Sequence, residues 1–183
     1  MNNALIIVDV QRDFCPGGAL PAPKGNDIIP VINRLMDQFD YIVASKDWHP
    51  AQTVHFDQWP PHCIRGTIGA AFHPDLEEQK IDVVALKGTG NTDDGYSAFE
   101  ATNLDLLHWL RKNNIDTVYV TGIATEYCVM STALDTLRAG FNVYVVMDAI
   151  AAVNQHDGDE EAALQKFRDH KITLITSDKI ESP

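Results

Sequence analysis

The chain has 183 residues, 45% of them apolar and 22% charged, with 14 Lys and Arg against 26 Asp and Glu for a net charge of −12. A chain of this length makes one domain and buries roughly 70% of its unfolded surface, so it holds a hydrophobic core without staples, and disordered or collagen-like chains are excluded. Its acidity, with no run of Lys or Arg to offset it locally, excludes nucleic acid as a partner; its longest apolar run, Ala4 to Val8, falls far short of the ~20 residues of a membrane span and follows no basic, signal-like segment.

Ala4–Val10 reads as the first strand, because its apolar, branched residues suit a strand buried on both faces. Asn26 or Asp27 is placed to cap a helix running to Phe39, with Ile29, Ile32, Leu35 and Met36 on one face. Tyr41–Ser45 is the second strand. From Lys46 to Lys80 the rhythm breaks, in a stretch carrying His49, His55, His62 and His73 among several prolines. A connection this long inside a compact domain is functional or disordered, and its aromatic residues argue against disorder. Val83–Leu86 is the third strand, and Asn103 is placed to cap a helix through Leu104, Leu107, Leu110 and Arg111 that stops at Asn113–Asn114. Thr117–Val120 leads to Thr125, the expected cap of a helix with Tyr127, Met130, Leu134 and Leu137 as its stripe and Gly140 as its stop. Val143–Met147 follows, then a helix headed by Asp159, Glu160 and Glu161 and ending near His170, then Ile172–Ile175. This alternation predicts an α/β fold of three αβα layers around a six-stranded, mainly parallel, Rossmann-like sheet. Residues 1–183 form one domain in this reading, with the loop at 46–80 inserted. Three cysteines, an odd number in a chain that needs no staples, suggest free thiols and a cytoplasmic protein.

Ligands of open parallel sheets bind outside the carboxyl ends of the strands, which here are Asp9, Asp47, Lys87, Gly122 and Asp148. Taken singly, Asp9 reads as a loop-capping carboxylate, Lys87 as a solvated lysine and Cys128 as a packed thiol. Together at one rim they can serve as general base, charge stabiliser and nucleophile. Cys128 falls three residues after Thr125, where a helix start would lower its pKa. In Lys46-Asp47-Trp48-His49 the two ligand-type side chains lie two apart on an extended strand end and can reach one ion together. His62 could return from the loop as a third ligand and His55 as a fourth. Oxygen and imidazole donors suit zinc, manganese or iron(II), although four loop histidines could equally be polar surface. Cys15 and Cys63 need no chemical role.

These segments resemble a known family. Asp9 in Ile-Val-Asp-Val-Gln-Arg-Asp-Phe, Lys87-Gly88, and Gly122-Ile-Ala-Thr-Glu-Tyr-Cys128 are similar to the Asp–Lys–Cys motifs of the isochorismatase-like cysteine hydrolases. Lys46-Asp47-Trp48-His49-Pro50 and Trp59-Pro60-Pro61-His62-Cys63 narrow the resemblance to the nicotinamidase (pyrazinamidase) branch. Motif order agrees along nearly the whole chain, including Tyr96-Ser97-Ala98-Phe99. The resemblance implies a metal-dependent amidohydrolase that converts nicotinamide, and pyrazinamide, to the acid and ammonia through a thioester, in NAD salvage. It implies Asp9, Lys87 and Cys128 as catalytic residues, and the N–H groups of Ala124 and Cys128 as the oxyanion hole. Ile123–Ala124 matches the family's non-proline cis peptide, and Phe14, Trp59 and Tyr96 its pyridine-holding aromatics. One divalent ion, zinc before manganese or iron, would be held by Asp47, His49 and His62, with His55 a ligand in only some members. The partner implied is the small substrate, and a homo-oligomer is compatible with it. Two rivals differ in metal content and turnover: a relative acting on a carbamoyl or ureido substrate, and a flavodoxin-like binding domain, which would leave Cys128 without a task.

Overall fold

The computed structural model describes residues 2–180. Its strands are β1 (Asn2–Val8), β2 (Tyr41–Asp47), β3 (Val83–Lys87), β4 (Ile115–Ile123), β5 (Asn142–Ala151) and β6 (Thr173–Ile175). They form one sheet in the order β3-β2-β1-β4-β5-β6. Every neighbouring pair is parallel, so the sheet is wholly rather than mainly parallel. The helices are α1 (Ile29–Met36), α2 (Leu106–Lys112), α3 (Met130–Arg138) and α4 (Asp159–Asp169).

Strand alternation divides the core in two. Leu5 and Ile7 point into one cluster with Ile29, Ile32 and Leu35 of α1, while Ala4, Ile6 and Val8 point into the other with Leu106, Leu110, Ala133 and Phe167 of α2, α3 and α4. The first face carries only α1, and the long β2–β3 connection completes it by contributing Cys63, Ala70, Phe72 and Leu76 to the same cluster. The residues that carry the loop's histidines are therefore fixed by apolar burial, at roughly 1.5–3 kcal/mol for each large side chain fully withdrawn from water.

Several expected boundaries move. β1 begins at Asn2 and ends at Val8, because Asp9 takes a left-handed conformation (φ 50°) that turns the chain out of the sheet. α1 starts at Ile29, with a proline in its first turn and no side-chain cap from Asn26 or Asp27, and ends at Met36 rather than Phe39. Asp105, not Asn103, caps α2 by accepting the His108 N–H. Asn103 instead bonds the backbone of β3, accepting from Leu86 N (2.7 Å) and donating to Val84 O (2.9 Å). Thr125 caps nothing: Ala124 precedes a wide π turn over Thr125–Val129 that runs into α3.

The chain lays β2 and β3 to one side of β1 and then crosses to place β4 on the other side. The order reverses between β1 and β4, and the carboxyl ends of those strands flank the crevice where such sheets take ligands. Gly122 makes the close approach possible there: at φ 109° a Cβ on it would lie 2.0 Å from the Val8 carbonyl oxygen.

Candidate active site

Four side chains from four elements meet at this crevice. Lys87, at the end of β3, is wholly buried, with Nζ 2.7 Å from Asp9 Oδ2 and in contact with Asp47 Oδ1. The same Nζ donates to Gly95 O (2.7 Å) and reaches Cys128 Sγ at 3.4 Å. Ser45 Oγ donates to the other Asp9 oxygen at 2.7 Å. A carboxylate oxygen of Asp9, one of Asp47 and the Cys128 sulfur all lie within 4.8 Å of one another. Gln11 clamps the end of β2: its Oε1 accepts the Asp47 N–H (2.8 Å), and Nε2 donates to the carbonyls of Asp47 and Ala70.

Burial acts on each of these groups; it sets the direction for Asp9 and Cys128, and neighbouring charge overrides it at Asp47 and Lys87. Burial raises Asp9 above the usual carboxylate range; Lys87 pulls against it and Asp47 adds to it. Burial also works to raise Asp47, yet the Lys87 ammonium, with His49 and His62 close by, holds it well below that range. Burial disfavours the Lys87 ammonium, but Asp47 and Asp9 outweigh it and keep Lys87 charged far above neutral pH. The two carboxylates are thus pushed apart, one toward proton exchange and one toward permanent charge. The Cys128 thiol is raised well above its ordinary value, by burial first and then by Asp9 and Asp47 against Lys87. This reverses the expectation of a lowered thiol: the sulfur sits in a π turn between two carboxylates, and that surrounding outweighs its place near a helix start. Cys15, at about 11, and Cys63 are raised by burial and sit as packed thiols.

On the far side of Asp47 stand the histidines. One ring nitrogen from each of His49, His55 and His62 falls within 4.8 Å of the others, and all three residues are buried. Asp47 Oδ2 lies 3.4 Å from His49 Nε2 and 3.7 Å from His62 Nε2. Each Nδ1 meets an oxygen acceptor: Gly88 O for His49 (2.9 Å), Pro60 O for His62 (2.7 Å) and Asp93 Oδ1 for His55 (2.8 Å). Those acceptors keep the proton on Nδ1 and turn the Nε2 lone pairs inward, as in metal sites whose ligands are oriented from behind. His49 Nε2 is buried without a hydrogen-bond partner. A buried acceptor without a donor is costly, and a divalent cation satisfies it. The donor set fits such an ion, with Asp47 shared between it and Lys87.

Gly88 forms the back wall of this site. At φ 63°, a Cβ on it would lie 2.5 Å from His49 Cε1. Gly88→Ala is therefore expected to displace the His49 ring and cut bound metal per chain by at least about tenfold, measured by elemental analysis after equilibration with limiting zinc.

A pocket of about 400 Å³, counting its open mouth, joins the two clusters; Asp47, His55, His62, Ala124 and Cys128 border it. Phe14, Trp59 and Tyr96, named above from the resemblance, also line it, together with Leu20, Gly95 and Val153, which sequence reasoning did not single out, and Tyr127, read there only as a helix-stripe residue. The Ile123–Ala124 peptide is cis. Asp148, grouped above with the strand ends, lies elsewhere: β5 runs on past it, and its carboxylate accepts from Ser177 N and Oγ. Ser45, Gln11 and Asp93 were also missed; only Gln11, a polar residue three positions past the end of β1, carries a local signal.

A wholly parallel sheet with a thiol, two carboxylates and a lysine at its switch point brings together the groups that thiol-based hydrolysis uses. The chain belongs to the isochorismatase family: the model of the isochorismatase domain matches residues 3–179. It is 40% identical over 189 residues to the nicotinamidase/pyrazinamidase of Mycobacterium tuberculosis, covering 95% of this chain and 98% of that protein. The crystal structure of the pyrazinamidase of Pyrococcus horikoshii in complex with zinc superposes with a TM-score of 0.87 at 42% identity, over 96% of this chain and 99% of that one. That of PnC1 from L. infantum in complex with nicotinate superposes with a TM-score of 0.93 at 35% identity, over 100% and 96%.

Proposed function

We propose that this chain is a nicotinamidase, hydrolysing the carboxamide of nicotinamide, and of pyrazinamide, to the acid and ammonia, as a step of NAD salvage. The observation that carries this reading is one pocket with Cys128 on one wall and inward-facing imidazoles on another, flanked by Phe14, Trp59 and Tyr96. Such a pocket suits a flat heteroaromatic ring whose amide reaches the thiol. The isochorismatase membership and the nicotinamidases among the relatives support the same substrate class.

In this reading Asp9 takes the Cys128 proton as the sulfur attacks the amide carbon, so that the thiolate forms only as it is used. Lys87 stays charged and offsets the negative charge passing between Asp9 and the sulfur. The N–H groups of Ala124 and Cys128 donate to the developing oxyanion. When the tetrahedral adduct collapses, the C–N bond breaks and Asp9 delivers its proton to the departing nitrogen, which leaves as ammonia. Asp9, again a carboxylate, then takes a proton from water attacking the thioester. The C–S bond breaks and that proton returns to Cys128. Asp47, His49 and His62, with His55 as a fourth, would hold a divalent ion, which we assign as zinc. When bound, it supplies Lewis-acid charge that orients a ring nitrogen or a water. Three free thiols suit a reducing compartment, and we place the reaction in the cytoplasm.

The direct test is ammonia release from nicotinamide by purified protein, with chelator and then with zinc or manganese restored. Release that falls with chelator and returns with metal is the expected result. Turnover of ureido substrates with none of nicotinamide would keep the fold and overturn the substrate.

A further inference from the structure

We infer that Asp93 is a positioning residue that ties the metal site to the aromatic wall of the pocket; this rests on the histidine cluster being a metal site, as read above. Asp93 sits in the loop after β3, outside every motif that pointed to the family, with its side chain 32% exposed. Its Oδ1 accepts from His55 Nδ1 at 2.8 Å and from the Tyr96 hydroxyl at 2.8 Å. Its Oδ2 accepts from Gln58 Nε2 at 2.9 Å. The Tyr96 hydroxyl, having donated to Asp93, accepts from Trp59 Nε1 at 3.1 Å. One carboxylate thus receives three donors, from a histidine of the metal cluster, a pocket-wall tyrosine and the segment between His55 and Trp59.

The geometry gives this hub a definite consequence. His55 and Trp59 lie on one loop and Tyr96 on another, and Asp93 with Tyr96 ties the two loops through side chains. The bond to Asp93 also keeps the His55 proton on Nδ1, which leaves Nε2 for the ion. His55 stacks on His49 at 4.5 Å between ring centroids and faces Trp59 at 6.3 Å, so a rotation of the His55 ring is felt on both sides. Losing the hydroxyl of Tyr96 should therefore weaken metal binding, although Tyr96 is not among the clustered ligands, and should do so only while Asp93 is present to transmit it.

The test is a double-mutant cycle read in zinc affinity, using full-length protein stripped of metal and titrated with zinc against a chromophoric chelator. Asp93→Ala should weaken zinc binding roughly 10- to 100-fold, the usual size for the partner of a ligating histidine. Asp93→Asn, which keeps an acceptor at the same place, should recover part of that loss. Tyr96→Phe should weaken zinc binding severalfold in the wild-type background and not at all beside Asp93→Ala, the non-additivity of groups acting through one another. Thermal melts of the metal-free variants separate this from unfolding. A Tyr96→Phe effect that is absent, or equal in both backgrounds, overturns the proposal alone. Wild-type protein that takes up no zinc, manganese or iron overturns the metal reading beneath it.

Discussion

Cys128→Ala is expected to abolish amide hydrolysis, with a loss of about 10⁴-fold or more in kcat, while the protein remains folded and retains its metal. The substitution removes a single sulfur from a residue 8% exposed, and none of the backbone bonds of the π turn depends on it. Its consequence for activity follows from where the sulfur sits, 3.4 Å from Lys87 Nζ and bordering the pocket. Because burial and the neighbouring carboxylates keep the thiol protonated, the sulfur cannot act without a base. Asp9→Asn should therefore cost nearly as much as Cys128→Ala, and the double variant should be no worse than either, since groups that act as a unit lose their effect together. Ammonia release by the three variants, each checked for metal content and thermal melting, measures this. Residual turnover above about 1% in Cys128→Ala would remove the thiol as nucleophile. A double variant far slower than either single one would separate Asp9 from it.

Much of this arrangement is legible before any coordinates. The buried strands of a doubly covered parallel sheet are continuous apolar runs, so Ala4 to Val8 and Val118 to Val120 stand out, and a sheet of that kind places its chemistry at the residues that end its strands. Asp9, Asp47 and Lys87 are those residues. Local rules failed where two groups competed for one role. Asn103 and Asp105 are both good caps, and the edge of β3 decided between them by offering Asn103 a backbone donor and acceptor. Thr125 has a capping side chain, but its hydroxyl is buried without a partner because the chain enters α3 through a π turn.

The thiol's direction of shift was not legible for a different reason. A helix start acts on Cys128 from residues near it in the chain, whereas Asp9 and Asp47 act from strands more than 80 positions away. Ser45, Gln11 and Asp93 were missed on the same ground, since each has partners between 35 and 59 residues distant, Tyr96 being a near one for Asp93. The β2–β3 connection was legible as an interruption, but not as the packing that completes the face covered by α1, because its contacts with that cluster are long-range.

Lys87→Met is expected to destabilise the metal-free protein by about 3–5 kcal/mol, the cost of breaking a buried ion pair from one side. Lys87 is wholly buried, as is Asp9, and Asp47 is nearly so. The ammonium is the counter-ion that Asp9 and Asp47 share, and it donates to the Gly95 carbonyl as well. Methionine fills much of the same volume, so packing alone predicts a cost of under about 1.5 kcal/mol. The remainder would come from two carboxylates, with oxygens within 4.8 Å of each other, left in the interior without a cation. Urea denaturation of metal-free protein measures the difference, and Asp9→Asn combined with Lys87→Met isolates its source. Neutralising Asp9 removes one of the two stranded charges, so the double variant should be more stable than Lys87→Met alone. If Lys87→Met costs no more than a packing change, or if the second substitution brings no recovery, the three groups are not an electrostatic unit. Lys87 could not then be the counter-ion that the two carboxylates share.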